Sequence, residues 1–324
     1  MNHLRFFVLA AVMALLVAGC RKDEGPTASQ ATDEDLIRSQ ITSGDSLADF
    51  INTDHTVIDD GGTMADDVLA KTTVAIKPFS WGRRVENVLT DIKIELLGDT
   101  MAIATITKTI TGHFIVNASY SDTATHPDTV ISKPYTEKHK RKVLFRRTRN
   151  AAQVNRYWTP VAVTLVEGGT VPDSLNKFSI ASLELTLPLG TDTITDPLAT
   201  WMKFNRMLHG IPVIHDGDSV RIRLTVNSTD PDTERAVLRS TVRKNAGGMR
   251  TRRVIMHLDS SVPDGIQGGY TRVYSQSFRG ELGMHMMLGR FNSVVDVFSH
   301  GSFYDDSAPF SNRFWELPYM VVYR

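Results

Sequence analysis

Val220-Arg221-Ile222-Arg223-Leu224-Thr225-Val226 alternates apolar and polar side chains without a break. Successive side chains on a strand point to opposite faces, so this run describes a strand with one buried face. Leu183, Leu185 and Leu187, separated by Glu184 and Thr186, repeat the pattern, and Val254, Met256 and Leu258 repeat it again. Further β-forming runs at Ala236 to Val242, Thr271 to Phe278, Val294 to Phe298 and Pro318 to Tyr323 raise the total to roughly seven, with turns at Asp216-Gly217 and Asp230-Pro231-Asp232 between them. Residues 172–324 are therefore expected to form an all-β sandwich. Thr193 to Gly210, with Trp201, Met202, Phe204 and Met207, is expected to place a short helix across an edge or open end.

Upstream the order changes. Thr32 or Asp33 caps a helix whose Leu36, Ile37 and Ile41 share a face, and Gly44 ends it. Asp45 or Ser46 followed by Leu47, Phe50 and Ile51 predicts a second helix, and Met64 to Leu69 a third. From Val85 the pattern becomes strand, with Leu89, Ile92, Ile94 and Leu96, then Gly98-Asp99, then the Ile- and Thr-rich Met101 to Ile115, which together read as a hairpin. Lys142 to Arg147 and Tyr157 to Val166 add two more β runs. Gly168-Gly169 with Pro172 reads as an interruption of the last strand and a boundary. Residues 32–171 are thus expected to be an α+β domain of helices followed by a curved antiparallel sheet.

The 324 residues are 41% hydrophobic and 22% charged, and 36 Lys and Arg match 36 Asp and Glu, so neither disorder nor a field suited to nucleic acid is indicated. Arg5 precedes an apolar run from Phe6 to Val17 that is too short for a stable spanning helix and reads as a signal peptide over residues 1–19. Its end, Val17-Ala18-Gly19-Cys20, resembles a bacterial lipobox. That resemblance implies diacylglycerol on Cys20, a lipid-anchored outer-membrane lipoprotein and a flexible tether over residues 20–31. Lys22-Asp23-Glu24 resembles the surface-export signal of Bacteroidota lipoproteins, so the folded part faces either the periplasm or the outside. Cys20 is the only cysteine, which leaves no thiol for a disulfide, a thiolate metal site or a cysteine nucleophile.

The helices-then-strands order of residues 32–170, closing on Trp158-Thr159-Pro160-Val161-Ala162-Val163, resembles the nuclear-transport-factor-two-like α+β cone, with a cystatin-like module as the neighbouring alternative. The strand-rich remainder resembles an immunoglobulin-like sandwich without its disulfide. The cone resemblance implies a pocket, for which Asp54, His55, Trp81, Tyr157 and Trp158 are the candidates. It leaves open an isomerase- or dehydratase-like step on a small hydrophobic substrate, against the plainer reading that the tryptophans pack the sheet.

No phosphate loop, Gly-x-Gly-x-x-Gly, Gly-x-Ser-x-Gly or His-Glu-x-x-His is present. No catalytic residue or cofactor is assigned. Lys138, Lys140, Arg141, Lys142, Arg146, Arg147 and Arg149 form the densest basic stretch, readable as an anion patch or as a solvated sheet face. Asp230-x-Asp232-x-Glu234, with Asp216 and Asp218 in another turn, offers oxygen ligands to calcium, although an ordinary acidic turn has the same residues. Met284-His285-Met286-Met287 offers soft ligands to copper, although core methionine explains it equally. The expected function is a non-enzymatic module binding a small ligand or a protein, with a structural or adhesive cell-surface role as another alternative.

Overall fold

A ten-residue helix, α1 (Asp33–Thr42), starts as its sequence requires. Thr32 Oγ1 accepts from the Asp35 amide, and the Asp35 carboxylate accepts from the Thr32 amide, closing a capping box with acidic residues throughout the first turn. Ile37 and Ile41 are buried, and the Arg38 guanidinium donates to the Ile92 carbonyl at 3.1 Å. The structure, a computed structural model, describes residues 32–43, 62–63, 76–147, 158–204, 210–243, 249–264, 268–282 and 288–323. Cys20, the signal segment and tether, the two further predicted helices at 45–51 and 64–69, Asp54, His55, Tyr157, Arg149 and Met284 to Met287 lie outside them.

The strands in chain order are β1 (Gly62–Thr63), β2 (Lys77–Leu97), β3 (Met101–Ser119), β4 (Thr129–Arg147), β5 (Trp158–Thr164), β6 (Val166–Thr170), β7 (Phe178–Leu187), β8 (Gly190–Ile194), β9 (Trp201–Lys203), β10 (Val213–His215), β11 (Ser219–Ser228), β12 (Arg235–Arg243), β13 (Met249–Ile255), β14 (His257–Asp264), β15 (Gly269–Arg279), β16 (Leu288–Phe298) and β17 (Asn312–Val322), with a short helix α2 (His300–Tyr304) before the last. Among the described residues they make two sheets. Twelve strands form one, ordered β1-β2-β3-β4-β6-β17-β16-β12-β13 with β5, β9 and β10 attached, and five form the other, ordered β14-β15-β11-β7-β8. All pairings between these strands are antiparallel except β10 with β17.

The expected hairpin is present: Leu97 pairs with Met101 across a turn in which Gly98 takes a φ of +67°, a conformation that favours glycine. The sandwich expectation holds in its coarse form. Leu183, Leu185, Ile222, Leu224, Val226 and Tyr274 of the five-stranded sheet join one apolar core with Ala236, Leu238, Val295, Val297, Trp315 and Leu317 of the larger sheet. A helix-plus-sheet cone is not shown. The described residues before 172 hold one helix, and their sheet continues through β6 into β17.

Three local expectations are corrected. Gly168 and Gly169 do not interrupt the chain; they sit inside β6, paired to β4 on one side and β17 on the other. A Cβ on Gly168 would lie 2.1 Å from the Phe314 ring and 2.7 Å from the Lys138 carbonyl, so glycine is there for close approach rather than for release of the backbone. Gly168→Ala is expected to destabilise the fold by about 1–3 kcal/mol, read as a lower urea midpoint at unchanged slope. Residues 193–204 carry no helix, because the Asp196 carboxylate accepts from the Leu198 and Ala199 amides in a turn and Trp201–Lys203 then pairs with Ala162–Thr164. Finally, Val254 to Leu258 is two strands. The chain leaves the larger sheet at Ile255 and enters the smaller at His257, with buried Met256 between them donating its amide to the Ala236 carbonyl.

Candidate binding site: a charged belt inside the curled sheet

The pairing registers put a particular set of side chains on one face of the larger sheet. Glu137 pairs with Thr170, and Asn312 pairs with Phe298, which pairs with Arg235. In the next row, His139 pairs with Gly168, Gly168 with Phe314, Phe314 with Asp296, and Asp296 with Val237. Below it, Glu316 pairs with Val294, Val294 with Arg239, and Arg239 with Arg253. Facing residues in a ladder share a side of the sheet, so these groups project together.

That face is enclosed, because the sheet curls until its distant strands meet. Trp81 of β2 has the Arg253 guanidinium of β13 at 5.1 Å from its ring and packs edge-on to Phe298 of β16 at 5.2 Å. One end of the interior is aromatic. Phe114 lies 4.6 Å from Phe310 and 5.4 Å from Phe303, with Trp81 and Phe298 beside it. Aromatic pairs at these separations add to area burial, and together they seal the end from water.

Beneath this aromatic roof runs a belt of charge. Asp296, fully buried, is its hub: Oδ2 accepts from Arg83 and from Arg239 at 2.9 Å each, and Oδ1 accepts from Asn312 at 3.0 Å. Asn312 in turn accepts from the Thr170 hydroxyl at 2.8 Å. Arg83 also lies 3.1 Å from Glu137 Oε1, and Glu137 Oε2 is 3.4 Å from His139. Burial alone would raise the Glu137 carboxyl, but the charge of Arg83, the His139 contact and Arg239 outweigh it and hold the group down at about 2. Burial works against the charge of Arg83 too, yet Asp296 and Glu137 keep its guanidinium above the ordinary arginine value. The Tyr135 hydroxyl is pushed up to about 12, first by burial and then by Glu137, with Arg83 and Arg239 pulling the other way.

Trp81 therefore roofs this interior, whereas Trp158 belongs to a different core cluster, where its Nε1 donates to Asp33 at 3.0 Å. The two described members of the five-residue pocket expected from sequence are not brought together. The basic stretch is likewise divided by strand parity. Lys138, Lys140, Lys142 and Arg146 point outward, while Arg141 points inward, buried in the field of Glu316. Arg147 stands beside Trp158 and 3.7 Å from Asp33.

The acidic turn proposed for calcium holds a cation of the protein's own. Arg272 is buried and places all five of its N–H groups: Nη1 donates to the Asp232 carbonyl and the Glu234 carboxylate, Nη2 to the carbonyls of Asp230 and Pro231, and Nε to Ser261. Tyr270 faces the guanidinium at 4.6 Å. Asp216 accepts from the Leu282 amide and Asp218 lies beside His215, so both serve their turn. Among the described residues no group of three or more His, Cys, Asp or Glu gathers as a metal site.

The belt was missed in sequence although a signal existed. Glu137, Arg239 and Asp296 occupy core-facing positions that they share with buried apolar residues of the same strands, such as Val143 and Phe145 on β4, Val237 on β12 and Val294 and Phe298 on β16. Comparison with protein-family models finds none that matches the chain, and comparison with curated proteins finds no match either. What fold and site define is a class: a largely antiparallel β-protein enclosing an arginine–carboxylate belt.

Proposed function

We propose that the chain is a lipid-anchored bacterial envelope protein that binds a ligand in its folded part rather than transforming one. The observation that carries the binding reading is the belt itself. Its carboxylates are committed to arginines, and Arg83 holds Glu137 well below the usual carboxylate range, which suits holding a partner group, whereas a general base works best with a pKa near the working pH. Aromatic side chains close over the belt and exclude water, which strengthens any polar contact made there. The envelope reading rests on Arg5, the short apolar run and Val17-Ala18-Gly19-Cys20. Among the described residues no helix is long and apolar enough to cross a membrane. In this reading the lipid on Cys20 makes the attachment, at the outer membrane.

Cell fractionation tests the anchor. The unaltered chain is expected in the membrane pellet and Cys20→Ser in the soluble fraction; a Cys20→Ser chain that stays in the pellet overturns it.

A further inference from the structure

The charge inside the curled sheet does not balance. Arg83, Arg141, Arg239 and the half-buried Arg253 lie in the fields of three buried carboxylates, Glu137, Asp296 and Glu316. One oxygen of Asp296 answers both Arg83 and Arg239, and of the two only Arg83 has a second carboxylate within ion-pair distance, Glu137 at 3.1 Å. Nε of Arg83, Nε of Arg239 and the hydroxyl of Tyr135 are enclosed without a hydrogen-bond partner. Folded proteins rarely leave several such groups together. One acceptor, Glu137 Oε1, is also without a hydrogen bond, although Arg83 lies 3.1 Å away.

We propose that the belt receives a phosphate-type oxyanion carrying at least one O–H, its bare oxygens taking Arg83, Arg239 and Tyr135 and its O–H donating to Glu137. A negative ligand settles the surplus of guanidinium charge, and guanidinium forks match oxyanion geometry. Water satisfies the donors but leaves the surplus charge, and a cation adds to it. The acceptor selects among oxyanions. Glu137, held as a carboxylate by the Arg83 guanidinium at 3.1 Å, offers only lone pairs. Hydrogen phosphate has a hydroxyl to give it, whereas sulfate would present a bare oxygen to a carboxylate. This inference rests on the binding reading above and names its ligand class.

The test is thermal unfolding of the full chain in detergent, with concentration series of phosphate, sulfate and succinate at matched ionic strength. The midpoint is expected to rise with the logarithm of phosphate concentration, as for a ligand of the native state alone. Sulfate is expected to bind about tenfold or more weakly, because it leaves one buried group unpaired. Succinate separates a carboxylate source from a phosphate one and is expected to have little effect. Tyr135→Phe keeps the ring beside Phe310 and should fold, yet lose about tenfold in phosphate affinity. Glu137→Gln removes the acceptor charge and should collapse the preference for phosphate over sulfate. Equal stabilisation by phosphate and sulfate that Tyr135→Phe leaves unchanged overturns the inference as a general salt effect, and a response to succinate alone overturns it in favour of a carboxylate. A neutral adduct in the native mass spectrum of the same sample overturns the oxyanion but keeps a binding protein. A bare mass with no shift in any series overturns both.

Discussion

Asp296→Asn is expected to lower the stability of the folded chain by about 3–5 kcal/mol, the effect of leaving buried charges uncompensated. The substitution keeps the shape of the side chain and the bond from Asn312 can re-form, so no cavity contributes. What is lost is the negative charge that Arg83 and Arg239 both bond directly, at 2.9 Å from each. Glu137 remains, 3.1 Å from Arg83 and acting on Arg239 only at longer range. Two guanidinia with desolvated stems would then sit in one interior with a single carboxylate between them. The readout is the urea midpoint by far-UV circular dichroism, and a shift under about 0.5 kcal/mol, typical of a surface site, contradicts the assignment of Asp296 as hub.

Arg272→Met is expected to have a comparable effect, about 3–5 kcal/mol, by a different route. Methionine fills much of the stem's volume, so the loss is polar. Glu234 is left buried without its cation, and the carbonyls of Asp230, Pro231 and Asp232 lose their donor. Arg272→Lys keeps the charge but has three donors on a point-like head, against five in a fork, so it should recover only part of the loss. Full recovery by lysine would mean that the turn needs a charge and not a guanidinium. Calcium rescue of Arg272→Met would mean that the turn is a metal site after all.

Much of the fold was legible because strand periodicity is a local signal. The β11 run from Val220 to Val226 reads as a strand from seven residues, and the Thr32 cap with Asp35 fixes the start of α1. The failures share a cause, which is that the same local signal has more than one tertiary use. Paired glycine marks release in a loop, but in β6 it admits the Phe314 ring. Alternation through Val254, Met256 and Leu258 continues while the chain changes sheets. The basic stretch of β4 looks like one patch along the chain, yet parity sends Arg141 inward and its lysine neighbours outward. The belt was hidden most deeply, since Arg83 and Asp296 are 213 residues apart and only the curl of the sheet makes them neighbours. A charged residue at a core-facing position was the available clue, and it becomes readable only when the inward face of each strand is known.

The most direct measurement of the belt is a double-mutant cycle between Arg83→Met and Asp296→Asn in urea unfolding. The structure predicts that the two losses fail to add, with a coupling of about 1.5–3 kcal/mol, because each substitution removes one partner of the same buried ion pair. Additivity within about 0.5 kcal/mol would contradict a belt joining β2 to β16 across an enclosed interior.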